Sequence, residues 1–337
     1  MSTRKSSGFS KRINKVRRIS KMQILKDPSE VAKKLGRVVI ALGNFDGVHV
    51  GHQRLIRNMV SYARKIGAAP VVFTFHPHPL QVLFPDRAPR LLISPERRAE
   101  LISRLGVDAL LMLPFDRDLA RLNPEFFVHD LLVRQLGVEA VFVGFNCTFG
   151  HQGAGTPELL QRLGKELGFY VEVLPPIQVG ETVVSSSTVR QVLEEGDIGR
   201  ARGYLGYWPI LEGRVVYGDQ RGGRQMGFPT ANLDIGNDVL IPARGVYMAK
   251  VRVRDQIFDG VLNIGVKPTI GPDLPPSVEV HILEFAQVIY GEWVELSLLH
   301  RIRSEAKFSS INELISQIKR DIEAVQTLKN NALFQQA

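Results

Sequence analysis

The stretch Val38-Val39-Ile40-Ala41-Leu42-Gly43-Asn44-Phe45-Asp46-Gly47-Val48-His49-Val50-Gly51-His52 decides the fold of the first half of the chain. Its five leading apolar residues make a strand, a turn containing Gly43 and Gly47 follows, and His49 to His52 open an amphipathic helix. That order puts a helix N-terminus at the carboxyl end of a parallel strand, where open α/β sheets take phosphorylated ligands. His49 and His52 are three residues apart and share one helix face. Gly51 between them lets a polyphosphate come close to the backbone. A nucleoside triphosphate site is the expectation.

Outward from this segment, strand-like runs alternate with helical patterns between about residues 37 and 175: Val38–Leu42, Val71–Phe75, Ala109–Leu113, Ala140–Val143 and Val171–Leu174. Ser94-Pro95-Glu96, Asn123-Pro124-Glu125 and Thr156-Pro157-Glu158 each supply a capping side chain, a proline at the first helical position and an acid in the first turn. The alternation predicts an α/β domain with a doubly wound parallel sheet. After about Tyr207 the runs become short and glycine-punctuated: Gly213–Tyr217, Val246–Val253, Val261–Ile264, Val278–Phe285 and Trp293–Leu298. They predict a small antiparallel β-barrel. Ile311, Leu314, Ile315, Ile318, Ile322 and Val325 keep helical spacing behind a Ser310/Glu313 capping box, so a C-terminal helix follows. The expected organisation is a basic, disordered tail at 1–30, the α/β domain at 31–195, a linker at 196–208 where Gly196, Gly199, Gly203 and Gly206 cluster, and the barrel with its helix at 209–337.

The chain has 337 residues and a net charge of +9. Eight cations, Arg4, Lys5, Lys11, Arg12, Lys15, Arg17, Arg18 and Lys21, lie in the first 21 residues, ahead of the first acid, Asp27, and the remainder is nearly balanced. The charge therefore describes a solvated tail and argues against a nucleic-acid surface. A Ser- and Arg-rich, acid-poor start also has the composition of a transit peptide. Apolar runs are strand-sized, far short of the roughly 20 residues a membrane helix needs. The single cysteine, Cys147, excludes an internal disulfide and a multi-thiolate zinc site, and fits a cytoplasmic location. It reads as a small buried hydrophobe.

Two more segments carry chemistry. Ser185-Ser186-Ser187-Thr188-Val189-Arg190 is a hydroxyl-rich helix start followed by a guanidinium able to hold β- and γ-phosphates, and alone it is also an ordinary helix cap. Gly218 to Asn232 is a glycine-rich run ending Pro229-Thr230-Ala231-Asn232, which offers backbone amides to phosphate and two neutral oxygen ligands to a hard cation. By itself it is equally a hairpin loop.

Taken together, Gly43 to His52, Thr74-Phe75-His76-Pro77-His78-Pro79 and Ser185 to Arg190 resemble the adenylyltransferase half of bacterial bifunctional riboflavin kinase/FAD synthetases. Gly218 to Asn232 resembles the riboflavin kinase signature of the same family. So do Gly245-Val246-Tyr247, Asn263-Ile264-Gly265 with Pro268-Thr269, Glu279-Val280-His281, Tyr290-Gly291 and Arg303 through Phe308. The resemblance implies that His49 and His52 contact the ATP phosphates as catalytic groups, with Gly43, Asn44, Phe45, Asp46 and Gly51 forming their pocket. Ser186, Ser187 and Arg190 would close over the triphosphate. In the second half Gly223, Arg224, Gly227, Thr230 and Asn232 would bind ATP, with Mg²⁺ on Thr230 and Asn232, and Glu279 would be the base for the riboflavin 5′-hydroxyl. Asn146 and Arg303 would face flavin.

Three positions depart from the family pattern: Asp116 follows Phe115 where Asn is usual, Cys147 replaces an aromatic, and Gly153 stands where a cation is common. The implied activity is FAD synthesis in two steps, with ATP, riboflavin and FMN as small-molecule substrates, Mg²⁺ as cofactor, and no membrane or nucleic-acid partner. The alternatives are a chain with riboflavin kinase activity alone, and an RNA-binding protein using the basic tail.

Overall fold

A computed structural model describes residues 22–218, 227–266 and 276–335, in two compact units, Met1–Ser185 and Ser186–Ala337. The first unit is a six-stranded parallel sheet in the order β1-β4-β3-β2-β5-β6. Its strands are β1 (Gln23–Leu25), β2 (Val38–Leu42), β3 (Ala69–His76), β4 (Ala109–Pro114), β5 (Val138–Gly144) and β6 (Tyr170–Leu174). The helices are α1 (Pro28–Leu35), α2 (Val50–Lys65), α3 (Pro79–Leu83), α4 (Pro95–Ser103), α5 (Pro124–Phe126, continued by π-helical turns over Phe127–Gln135) and α6 (Pro157–Leu167). Ser94, Asn123 and Thr156 cap α4, α5 and α6, each with proline at the start. A strand covered on both faces must be apolar throughout, and β2 meets that demand. Val38, Ile40 and Leu42 face one core with Leu132, Leu136 and Leu160, while Val39 and Ala41 face the other with Ile56, Met59 and Ile102.

The chain leaves β2 for β3 on one side and returns from β4 to β5 on the other, so strand order reverses between β2 and β5. The crevice at their carboxyl ends is the place where such sheets bind ligands. A hairpin, β7 (Gln178–Val179) and β8 (Thr182–Val183), ends the unit.

Residues 22–30 correct the expected tail. Gln23, Ile24 and Leu25 pair in parallel with Ala109, Leu110 and Leu111, and Asp27 caps α1 through Ser29 N. Met22, Ile24 and Leu25 are buried, but three residues are too few to show a strand pattern beside so many cations. Residues 1–21 lie outside the described residues.

The second unit opens with α7 (Ser186–Glu195) and α8 (Ile198–Leu205), so of the glycines expected to form a linker Gly199 and Gly203 lie within a helix and Gly196 and Gly206 border it. Gly196 and Gly206 both adopt positive φ, which glycine alone takes without strain, and Gly206 terminates α8. A closed antiparallel barrel follows, in the order β10-β13-β12-β11-β14-β9, with β9 and β10 pairing to seal it. The strands are β9 (Ile210–Val216), β10 (Ala231–Asp234), β11 (Gly245–Val253), β12 (Gln256–Gly265), β13 (Ser277–Ile282) and β14 (Trp293–Arg303). Tyr247, Leu262, Val280, Leu296 and Leu298 are fully buried. β10 was legible only as the end of a glycine-rich loop; its four residues fill the gap between β9 and β13.

Helix α9 (Ile311–Leu328) starts at Ser310, whose Oγ accepts from Glu313 N, while the Glu313 carboxylate takes Ser309 N. Its apolar stripe is mostly half-buried, and its two buried residues are Val325 and Asp321. Arg303 grips Asp321 through Nε and Nη2 at 2.8 to 3.1 Å.

Candidate active sites

In the first unit the turn after β2 sorts its residues sharply. Asn44 is exposed, while Phe45, Asp46 and Val48 are buried. Phe45 and Val48 hold left-handed backbone at φ 53° and 39°, a conformation that costs a side chain of this kind about 1–3 kcal/mol and recurs at ligand clamps. An added Cβ at Gly43 would sit 3.3 Å from the Phe45 ring, so glycine leaves that ring its place. The Asp46 carboxylate faces inward and accepts Leu92 N at 3.0 and 3.2 Å. Phe45 and Asp46, expected at the nucleotide, thus face the protein interior.

His49 is the N-cap of α2, its Nδ1 accepting from His52 N at 3.4 Å. The two imidazoles stack with centroids 3.6 Å apart and planes 19° off parallel. Gly51 permits this, because a Cβ there would press the His49 ring at 3.2 Å. Burial lowers the His49 pKa to about 4. Burial, then the nearby His49 and Arg98, hold His52 well below the usual histidine range. Both rings are neutral at physiological pH. Since His49 Nδ1 is an acceptor, its proton resides on Nε2, which makes that nitrogen a donor. His52 Nδ1 is buried without a hydrogen-bond partner.

Beside this pair, Asn146 is exposed just after β5, across the switch point from Asn44. Asp116, where the family usually has Asn, caps a turn by accepting Asp118 N and Leu119 N at 3.0 and 2.8 Å. Cys147 is half-buried against the core, and burial pushes its thiol up to about 12, as suits a small hydrophobe. His78 caps α3 by accepting Leu80 N. Ser186, Ser187 and Arg190 stand on α7 and so belong to the second unit. Their role at the triphosphate stays an expectation.

The second unit assembles its candidate site by register. Asn232 on β10 and Asn263 on β12 are the direct partners of Glu279 on β13, and directly opposed residues share a face of the sheet. Their neighbours Leu233, Val278, Val280, Leu262 and Ile264 are buried, so the polar row lies on the outside of the barrel. Thr230, two residues before Asn232, is exposed. His281 Nδ1 donates to Pro229 O at 2.8 Å and meets the Phe228 ring edge-on, which docks the Phe228-Pro229-Thr230 segment. At Gly218 an added Cβ would land on the Asn232 amide and displace it, so glycine leaves that amide its place. Gly227 has a φ of 83°. Gly223 and Arg224, and the Pro268-Thr269 motif, lie outside the described residues. Arg303 gives Nη1 to Ser304 O and its other groups to Asp321, so it anchors α9.

Arg98 and Asn263 received no role from sequence. Arg98 lies in the first turn of α4, where the Ser94-Pro95-Glu96 cap drew attention only to the helix boundary. Asn263 becomes visible only through the register of β12 against β13. Among the described residues no cluster of three or more His, Cys, Asp or Glu side chains could hold a metal.

Imidazoles at the exit of a parallel strand, and an Asn, Glu and Asn row on a small closed barrel, are thus two separate candidate sites, one in each unit. Similarity to known proteins agrees in both halves. Residues 31–188 match the family model for FAD synthetase and residues 205–329 that for riboflavin kinase. The bifunctional riboflavin kinase/FMN adenylyltransferase of Bacillus subtilis (strain 168) is 37% identical, over 89% of this chain and 95% of that protein. The Escherichia coli (strain K12) protein of the same name is 37% identical over 84% and 90%. A solved structure titled a macrolide-efflux protein from Streptococcus pneumoniae is 31% identical and superposes with a TM-score of 0.78, covering 90% of this chain and 98% of that one. Among the described residues no helix is long and apolar enough to cross a membrane.

The chain belongs to the bifunctional riboflavin kinase/FMN adenylyltransferase family. Its carboxyl-terminal domain phosphorylates riboflavin to FMN with ATP, and its amino-terminal domain adenylylates FMN to FAD.

Proposed function

We propose that adenylyl transfer occurs above the stacked His49 and His52 rings, and riboflavin phosphorylation on the outer face of the barrel at Thr230, Asn232 and Glu279. The ring stack at a strand exit is the observation that carries the first assignment. An FMN phosphate oxygen attacks the α-phosphorus of ATP and pyrophosphate leaves. The protein's task is to place the reactants and to stabilise charge on phosphate oxygens. His49 Nε2–H, the Val50 and Gly51 N–H groups at the start of α2 and the exposed Asn44 side chain are suited to this, because they are donors held in place before substrate arrives. Neutral rings donate hydrogen bonds without bringing a desolvated charge.

In the second site the riboflavin 5′-hydroxyl attacks the γ-phosphorus and ADP leaves, with Glu279 taking the hydroxyl proton. A carboxylate suffices, since that proton departs late in phosphoryl transfer. The donor set fits Mg²⁺: a hydroxyl and an amide oxygen, two residues apart on β10 and its approach, beside a carboxylate in register. Thr230 and Asn232 would hold the ion, which when bound supplies charge neutralisation between ATP phosphates. Asn263 orients Glu279 from the opposite strand. Arg303 supports the flavin end by fixing α9. We place the reactions in the cytoplasm, on the one thiol in the chain and its burial.

The test separates the two halves of one chain. Flavins formed from riboflavin, ATP and Mg²⁺ are resolved by chromatography. A His49→Asn/His52→Asn variant should accumulate FMN without FAD, and Glu279→Gln should make FAD only when FMN is supplied. FAD formation surviving in the first variant, or FMN formation in the second, would remove that assignment.

A further inference from the structure

Arg97 and Arg98 are both buried in α4, and their surroundings differ. Arg97 pairs with Glu100 on its own helix at 3.0 Å. Arg98 reaches beneath the turn after β2, where Nη1 donates to Asn44 O at 2.7 Å and Nη2 to Phe75 O at 3.1 Å. Its Nε is buried with no hydrogen-bond partner. Asn44 O also accepts Thr74 Oγ1 at 3.1 Å, so both of its lone pairs are engaged. One guanidinium therefore joins the exit of β2, which leads into His49, to the end of β3 at Phe75, the residue before His76.

Desolvating a guanidinium is unfavourable, and an apolar side chain of similar length would fill the space without that penalty. The cation is held here against its solvation preference, beside the carboxylate of Asp46. A planar fork is also the group best shaped to span two carbonyls at fixed separation. We propose that Arg98 is a positioning residue for adenylyl transfer: its guanidinium locks the exits of β2 and β3 together, so that Asn44 and the His49–His52 pair meet the ATP phosphates in one arrangement. Its charge also opposes protonation of His52. The inference rests on the assignment of ATP to the imidazole pair.

The test uses the full-length bifunctional chain, whose riboflavin kinase activity is an internal control. With Arg98→Met, kcat/KM for ATP in FAD formation should fall 100-fold or more, while KM for FMN and the rate of riboflavin phosphorylation stay within threefold. Arg98→Lys, which keeps the charge and can reach one carbonyl, should recover at least tenfold of that loss. FAD formation within threefold of the native chain in Arg98→Met overturns the proposal. So does loss of both activities in the Met and Lys variants alike, which would mark a general folding role. If the His49→Asn/His52→Asn variant still makes FAD, the site assignment itself fails; if only the Arg98 variants are silent, the clamp alone fails.

Discussion

The two candidate ATP sites are built from opposite materials. The first is contiguous and mostly buried: a turn with two left-handed residues, a stacked imidazole pair and a helix start, all within Gly43–His52. The second is dispersed and open to solvent, a row across β10, β13 and β12 on the outside of a barrel. Where donors are backbone and buried rings, the fold itself carries the site. Where they are side chains on separate strands, register carries it.

That contrast can be broken most severely at Glu279 and at the histidine pair. Glu279→Gln should lower riboflavin phosphorylation by about 10²–10⁴-fold, the range of a general base, with FMN adenylylation unchanged when the flavin products are quantified. His52→Ala should lower FAD formation by about 10²–10³-fold, as for loss of a charge-stabilising donor, with FMN still made at the native rate.

Smaller effects sharpen the comparison through stability. Asp321→Asn leaves Arg303 without its carboxylate, and removing one member of such a buried pair costs about 3 kcal/mol. Both tryptophans, Trp208 and Trp293, lie in the second unit, so their fluorescence during urea unfolding reports that unit alone. The first unit should instead respond to acid. His49 titrates near 4 when folded and near 6.5 when unfolded. Between those values the unfolded chain binds a proton that the folded chain excludes, so stability falls as pH drops through the window, by up to about 3 kcal/mol. Hydrogen exchange of the β2 amides should show this slope, and His49→Gln should lessen it, with His52 contributing in the same direction.

The smallest change expected is Gly218→Ala. Its methyl would displace the Asn232 amide and lower kinase turnover by about tenfold, equivalent to roughly 1.4 kcal/mol. A steady-state assay with riboflavin reads it, and unchanged turnover would show that Asn232 does not act.

The legibility of the two halves follows the same divide. β2 was readable residue for residue, because a fully buried parallel strand must be apolar throughout and its turn and helix cap are local. The histidine pair was readable as two imidazoles at the start of a helix, but the rings meet because His49 caps α2 from outside it and accepts from His52 N, not because both lie on one helix face. Asn263 was not, since its pairing with Glu279 depends on which residues of β12 and β13 face one another. Arg98 was hidden for another reason: a charged residue in a first helical turn usually points to water, and nothing local says that this one turns under a neighbouring strand exit. Asp46 and Phe45 were placed correctly in the turn, but their inward orientation follows from left-handed backbone that the letters do not show.

β1 has a consequence out of proportion to its length. Three residues cover the flank of β4, satisfying the outward amide and carbonyl groups along Ala109–Leu111. A chain cut at Lys26 would bare that edge, an apolar ribbon ready to pair with another molecule. Proteolysis near the start should therefore show itself as turbidity before any catalytic deficit, and samples that precipitate on storage are best checked for an intact amino-terminal edge.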